Sequence, residues 1–218
     1  QGKFDFDLWN HTPSDRYDWE SLRSDMVQYG MRNSLLTACM PTASSASILG
    51  NTESFEPRTS NLYVRRVLSG EFMIMNKYLE SACRKRQLWT PKIREQIIQA
   101  RGSVRDTNLP QDIKRVFRTV WEMSQKSLID LSRGRAPYIS QSQSLNLYQS
   151  SPTRNSLTSM HFYAWKQGLK TGQYYLRSQP KANAVAFTAH KEVIEYRDGY
   201  ELPGDQYTIY TKSQCESV

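Results

Sequence analysis

The sequence predicts an α/β fold that lacks some of the strands a closed sheet would need. Segments with helical and strand periodicity alternate along the 218 residues, but the strands are few and scattered. The continuous apolar run 34–40 is typical of a strand buried on both faces. Hydrophobic residues make up only 38% of the chain, which indicates a core that is incomplete on its own.

The first elements are predicted from alternation and from helix-end signals. Residues 4–9 alternate apolar and polar side chains, which predicts a short strand. A helix follows, with Ser14 or Asp15 as its N-cap and Gly30 at its end. The apolar strand 34–40 comes next.

The middle of the chain carries the clearest local signals. Residues 61–76 predict two extended pieces joined by a turn at Gly70. Two helices follow, the first capped by Asn76 and the second capped by Thr90 and stopped by Gly102. These elements need no long-range information to be predicted.

The last third predicts two helices and two extended segments. A long helix covers 109–135, an extended segment covers 138–148, a second helix covers 156–172 and a short strand covers 173–178. From about residue 189 the periodicity dissolves, and we expect a mostly flexible tail.

Charge and cysteine usage limit the classes of function. The net charge of +8 suggests a polyanionic partner, although the basic residues are spread as on ordinary solvated helix faces. Three widely spaced cysteines fit no disulfide scaffold or metal pattern and favour a reducing cytoplasm. No apolar run approaches a membrane span, and no nucleic-acid-binding module is recognised. The chain begins without Met, which we interpret as processing or as part of a longer protein.

A strand–turn–helix junction is the candidate anion site. The strand 34–40 runs into a short helix that starts around Ala43 to Ser45. Unpaired amides and the positive dipole end of such a turn attract phosphate. Hydroxyls of Thr42, Ser44 and Ser45 add donors, while a plain N-cap of small residues explains the same pattern. The sequence has neither a Walker lysine here nor a GxGxxG motif.

Several stretches resemble the large, catalytic subunit of class I ribonucleotide reductase. They are residues 40–72, 140–148 and 157–183, and the segment upstream of residue 40 is similar as well. The resemblance runs in register from about Phe4 to Thr188 and is closer to the eukaryotic and large-virus or phage type. It implies the C-terminal part of a ten-stranded α/β barrel, incomplete on its own, over residues 1–188, with a mobile C-terminal tail over 189–218.

The resemblance also implies roles for individual residues. Tyr174 and Tyr175 match the stacked tyrosine pair that passes a radical toward the active-site cysteine. The loop that binds the substrate diphosphate through hydroxyls and helix-terminal amides is matched by Pro41, Thr42, Ala43, Ser44 and Ser45. The family usually has Thr where this chain has Ser45, so the hydroxyl is kept.

Other parts of the family's machinery are not matched. The NxCxE finger-loop motif, with its radical cysteine and glutamate base, does not occur in this sequence, and the redox cysteine pair and allosteric sites belong upstream. We interpret Cys39 as a buried packing residue and Cys83 as structural. Cys215 is either one member of the tail's redox pair without its partner or an unrelated residue.

The resemblance therefore predicts one component of a thioredoxin- or glutaredoxin-dependent ribonucleoside-diphosphate reductase, acting in deoxyribonucleotide biosynthesis and inactive alone. Its expected partners are the N-terminal part of the large subunit, as a split polypeptide or missing segment, and the radical-generating small subunit. That small subunit's metal centre supplies the radical, and we expect no metal or cofactor bound directly by this chain. The alternative is a non-catalytic nucleotide-binding or interaction protein derived from the same domain.

Overall fold

The computed structural model describes residues 2–179 and 209–211, which fall into two compact units. The first contains residues 2–56 and 124–179, and the second contains 57–123 with 209–211. In chain order the elements are α1 (Asp5–Leu8), α2 (Trp19–Tyr29), α3 (Ala43–Ile48), β1 (Leu62–Val67), β2 (Gly70–Met75), α4 (Lys77–Lys85), α5 (Pro91–Gln99), α6 (Gln111–Val116), α7 (Gln125–Arg135), β3 (Leu147–Tyr148), α8 (Arg154–Lys166), β4 (Leu176–Arg177) and β5 (Ile209–Thr211), with 3₁₀ turns at Val120–Glu122 and Ala136–Tyr138.

Parallel pairing organises the first unit. Cys39 pairs in parallel with Gln143, and the Ser144 amide donates to the Cys39 carbonyl at 2.9 Å. Farther along the same extended segment, β3 pairs in parallel with β4, with Leu147 opposite Leu176. Segment 141–149 therefore pairs with the end of the predicted strand 34–40 and with β4. Parallel neighbours of this kind need long crossover connections, which the helices provide.

The core of the first unit lies between these extended segments and two helices. Leu145 and Leu147 are fully buried, and Leu128 and Ile129 of α7 are nearly so. On α8, Met160 and Ala164 are buried. Helix α7 contacts both β3 and α8, so α7 packs on the parallel strand β3 and α8 packs on α7.

The predicted strand 34–40 is only partly confirmed. Besides the bridge at Cys39, the Thr37 carbonyl accepts the Gln141 amide at 3.1 Å. However, Leu35, Leu36 and Met40 are exposed rather than buried on both faces. Helix α2 likewise has no buried residue. Several large apolar residues of this segment and of α2 are therefore exposed to solvent.

The second unit packs helices against an antiparallel hairpin. Strands β1 and β2 pair from Leu62 opposite Met75 to Val67 opposite Gly70, as the sequence predicts. Helices α4 and α5 start where predicted, because Asn76 and Thr90 accept backbone hydrogen bonds as N-caps. The unit's buried core consists of Leu62, Met75, Leu79, Cys83, Ile93, Ile97, Val104, Leu109 and Ile113.

Strand β5 pairs antiparallel with β2 in this second unit, with Met73 opposite Tyr210. The sequence did not predict this strand. The predicted tail boundary at residue 189 lies outside the described residues.

Close packing explains why α5 stops before Gly102. Gly102 has φ +85°, and a Cβ there would lie 2.9 Å from the Asn61 amide nitrogen. The Gly102 carbonyl accepts from both the amide and the side chain of Asn61. A glycine at this position allows the chain to turn directly against the start of β1.

The predicted long helix 109–135 is wrong. It is divided into α6, a 3₁₀ turn and α7, because Glu122 accepts the Thr119 amide at 2.8 Å in a capping box and the Val120 amide donates to the Arg58 carbonyl at 2.9 Å. Both bonds use amides that a continuous helix would need.

Two further boundaries also differ from prediction. The predicted strand 4–9 is wrong, because Asp7 accepts the Phe4 amide at 2.8 Å and an ion pair with Arg23 holds the resulting turn, α1. Helix α2 is capped by Asp18 rather than by Ser14 or Asp15.

Candidate functional site

The predicted diphosphate loop connects the Cys39 bridge to α3. The five loop residues, Pro41 to Ser45, are all exposed. Helix α3 begins at Ala43, within the range predicted. Ala43 has φ +44°, a left-handed conformation that costs a residue with a Cβ roughly 1–2 kcal/mol. Strain of this kind in an exposed loop is typical of functional segments.

Hydrogen bonding leaves several donors of this loop available. The Thr42 amide donates to the Glu53 carbonyl at 3.2 Å, and the Ser45 amide donates to the Thr42 carbonyl at 3.1 Å. Within the described residues, the amides of Ala43 and Ser44 have no backbone acceptor, and the hydroxyls of Thr42, Ser44 and Ser45 have no partner. The loop therefore presents two amides and three hydroxyls to a ligand.

A buried carboxylate anchors the segment that returns from the loop. Glu56, only 5% exposed, accepts the Asn146 amide at 2.7 Å and its side-chain nitrogen at 3.1 Å. Closer to the loop, the Asn51 amide donates to the Ala46 carbonyl at 2.8 Å. Glu56 and Asn146 were not predicted from the sequence. Asn146 carries the only hint, as an amide side chain among the apolar residues that precede β3.

The two predicted tyrosines lie just before β4. The Tyr174 amide donates to the Leu145 carbonyl at 2.6 Å, and the Leu147 amide donates to the Tyr175 carbonyl at 2.9 Å. Their ring centroids are 4.3 Å apart, but the rings are tilted by 59°, so the pair is in contact without the parallel stacking that the resemblance implies. Each side chain is half exposed. A hydrogen bond with Tyr175 raises the pKa of the Tyr174 phenol.

The loop and the tyrosines meet the same extended segment. Cys39, just before the loop, pairs with Gln143, while Tyr174 is bonded to Leu145 two residues farther along. Neighbouring strands lie about 4.8 Å apart, so both features belong to one small region of the first unit. The pairing thus brings together two motifs that are about 130 residues apart in the sequence.

Helix α8 leads the chain to the tyrosines and is held by a polar cluster. The Tyr163 hydroxyl donates to Asp130 of α7 at 2.5 Å, and the Lys126 ammonium donates to the other carboxylate oxygen at 2.9 Å. The helix is capped by Thr153 and ends at Lys166, not at the predicted Ser156 and Gly172. The hydrogen bond from Tyr163, followed by that from Lys126, lowers the pKa of Asp130.

This cluster predicts an acid-sensitive contribution to stability. Because the folded pKa of Asp130 lies below its ordinary value, the contribution is complete above that ordinary pKa and is lost as the pH falls through the lowered one. We expect Asp130→Asn to reduce stability at pH 7 and to flatten the decline toward pH 3, as measured by urea unfolding across pH. Asp106→Asn, at an exposed ion pair of the second unit, is the control. A parallel decline in Asp130→Asn and the wild type would contradict the prediction.

Two of the three cysteines are described. Cys83 is fully buried in the second unit's core, and burial raises the pKa of its thiol, which confirms a packing role. Cys39 is half-buried rather than buried as expected. Cys215 lies outside the described residues.

Net charge does not mark the site. Residues 57–123 contain 14 Lys and Arg and six Asp and Glu. The net charge of this segment is therefore +8, the same as that of the whole chain. The loop lies in the other unit and offers neutral donors. Among the described residues, no three His, Cys, Asp or Glu side chains are grouped to hold a metal, and no helix is long and apolar enough to cross a membrane.

Short parallel strand pairings with helices between them, and a hydroxyl-rich loop at a strand end, define an α/β protein. A profile of the ribonucleotide reductase barrel domain matches residues 1–175. The chain belongs to this family. The described residues do not form a closed barrel.

Similar proteins agree with the family. The chain is 50% identical over 204 residues to a ribonucleoside-diphosphate reductase large subunit of Caenorhabditis elegans, covering 93% of this chain and 26% of that protein. It is 51% identical over 194 residues to the large subunit of Vaccinia virus (strain Copenhagen), covering 89% and 25%. The solved class Id ribonucleotide reductase alpha subunit of Actinobacillus ureae matches with a TM-score of 0.60 and 35% identity, covering 71% and 28%. The chain thus spans about a quarter of the length of these curated relatives.

Proposed function

We propose that this chain is the C-terminal part of the catalytic barrel of a ribonucleoside-diphosphate reductase large subunit. Its loop 41–45 binds the substrate diphosphate, and Tyr174 and Tyr175 relay the radical. The observation that carries the proposal is the convergence of both motifs on segment 143–145, where strand pairing holds them in one region. The relatives are large subunits of this enzyme.

In this function the loop acts by neutral donation. The free amides of Ala43 and Ser44 and the hydroxyls around them bind phosphate oxygens, and the short helix behind them adds a positive dipole end. These donors are uncharged, so they orient the diphosphate by hydrogen bonds and not by ion pairs with Lys or Arg. The remainder of the large subunit supplies the thiyl radical that abstracts hydrogen at C3′ and the two thiols that replace the 2′-hydroxyl by hydrogen.

The two tyrosines pass an electron and a proton between them. Each phenol loses an electron together with its proton, so a neighbouring acceptor has to take that proton. The 4.3 Å separation of the ring centroids is short enough for Tyr174 and Tyr175 to exchange both. The small subunit's radical enters through this pair. Thioredoxin or glutaredoxin reduces the two active-site thiols again after turnover, and Cys215 is a candidate tail thiol for this exchange.

The outer face of α8 is the proposed contact for the small subunit. Phe162 and Trp165 are exposed, at 58% and 70%, with their ring centroids 6.3 Å apart. Beside them, Leu157 and His161 line an open groove at the start of the helix. An aromatic, apolar helix face of this kind fits a peptide with apolar anchors, such as the end of a partner chain.

Ser45→Ala tests the loop. We expect it to weaken the binding of ADP, measured by calorimetry, by about 10-fold or more, because a hydrogen bond to a charged group is worth roughly 1.5–3 kcal/mol. Ser81→Ala, at an exposed serine of α4 in the other unit, is the matched control and should bind like the wild type. Equal affinities in all three proteins would remove the loop from the diphosphate site.

A further inference from the structure

A chain of three contacts joins the candidate diphosphate loop to Tyr175. The Thr42 amide donates to the backbone carbonyl of Glu53 at 3.2 Å. The Glu53 carboxylate forms an ion pair with Arg177, with 3.7 Å between Oε1 and Nη2. The Arg177 guanidinium carbon lies 5.2 Å from the centre of the Tyr175 ring, within the range of a cation–π contact. All four residues belong to the first unit.

The two ends of this chain of contacts are fixed by the backbone. Arg177 is two residues after Tyr175, so both side chains leave the same face of the strand. The Arg177 carbonyl accepts the Gln149 amide at 2.9 Å. Glu53 lies in the segment that the buried Glu56–Asn146 contact anchors. The positions of both backbones are therefore set before any ligand binds.

The ion pair between these fixed ends is adjustable. The Arg177 and Glu53 side chains are 43% and 60% exposed, and a separation of 3.7 Å is long for a charge-assisted hydrogen bond. Exposed pairs of this kind contribute little to stability, so a small electrostatic change can rearrange them. A diphosphate on the loop is such a change, because it brings negative charge next to the residues that hold Glu53.

We propose that Glu53 and Arg177 are positioning residues that couple occupation of the loop to the environment of Tyr175. The inference rests on the proposed function of loop 41–45. A bound diphosphate attracts the Arg177 guanidinium toward the loop and away from the ring. No covalent bond is made or broken in this step; one cation changes its position.

The movement has a defined effect on Tyr175. A cation over an aromatic ring opposes removal of an electron from that ring. When the guanidinium leaves, the ring becomes easier to oxidise. The pair thus favours radical transfer through Tyr175 when substrate is present and disfavours it in the empty enzyme.

The test places a fluorine on Tyr175 of this chain, as 3-fluorotyrosine, and follows its ¹⁹F resonance during titration with ADP. We expect a shift of the resonance on saturation in the wild type and a severalfold smaller shift in Glu53→Gln and in Arg177→Gln. Arg177→Lys keeps the charge and should restore part of the shift. Glu71→Gln, which breaks the exposed Arg66–Glu71 pair of the other unit, is the matched control and should behave like the wild type.

Calorimetry on the same samples separates the possible failures. ADP binding without movement of the Tyr175 resonance, or with an equal shift in wild type and Glu53→Gln, overturns the inference and leaves the proposed function standing. Absence of ADP binding overturns both. Circular dichroism melting of each variant checks folding, and the Glu53 and Arg177 variants provide independent routes to the same answer.

Discussion

Replacement of Tyr175 by phenylalanine is expected to abolish nucleotide reduction while leaving ADP binding unchanged. Phenylalanine has no phenolic proton to release, so it cannot pass an electron and a proton to Tyr174. We expect the rate of deoxynucleotide formation to fall by about 10³-fold or more, a barrier increase of roughly 4 kcal/mol. The measurement uses an enzyme assembled from this chain, the remaining part of a large subunit with its finger loop, and a small subunit.

Controls on this experiment distinguish chemistry from folding. Tyr78→Phe changes a tyrosine of similar exposure on α4 in the other unit and should retain full turnover. Tyr174→Phe should be as inactive as Tyr175→Phe, because a relay fails at either member. Full turnover in both variants would make the pair structural. Failure of the assembled wild-type chain to reduce nucleotides would favour the non-catalytic alternative.

The largest expected effect on stability is that of Leu79→Ala in the second unit. Leu79 is completely buried in the cluster that joins the hairpin to α4 and α5. Removing its side chain loses burial and leaves a cavity, at a typical cost of about 2–5 kcal/mol. We expect denaturant unfolding followed by circular dichroism to show the second unit unfolding at markedly lower urea concentration.

Leu68 provides the matched control for this substitution. It lies at the tip of the same hairpin and is fully exposed, so the identical change to alanine should alter the free energy of unfolding by less than about 0.5 kcal/mol. Equal losses in the two variants would mean that the described core does not hold the second unit together.

Local signals predicted the second unit well. Asn76 and Thr90 were identifiable as caps because their side chains satisfy amides within their own helices. The turn at Gly70 was equally local. By contrast, the break in the helix predicted over 109–135 depends on the Arg58 carbonyl, which is more than 60 residues away from Val120 in the sequence and invisible to periodicity.

The candidate site divides in the same way. The start of α3 after this loop was predictable from the loop's own residues, and its hydroxyls at a strand–helix junction led to the hypothesis of an anion site. The tyrosine pair was not, because tyrosine is common in strands and only the resemblance assigned it a role. Glu56 and Arg177 escaped prediction because their partners, Asn146 and Glu53, are about 90 and 124 residues away.

The order of the chain also bears on how the first unit folds. Cys39 and Gln143 pair although 104 residues separate them, and most of the intervening chain forms the second unit. Closing a flexible loop of that length costs conformational entropy and slows the pairing of the two strand segments. Early collapse of residues 57–123 around their own core would shorten the effective loop. Residues 57–123 would then assist folding by bringing together strands that are far apart in the sequence.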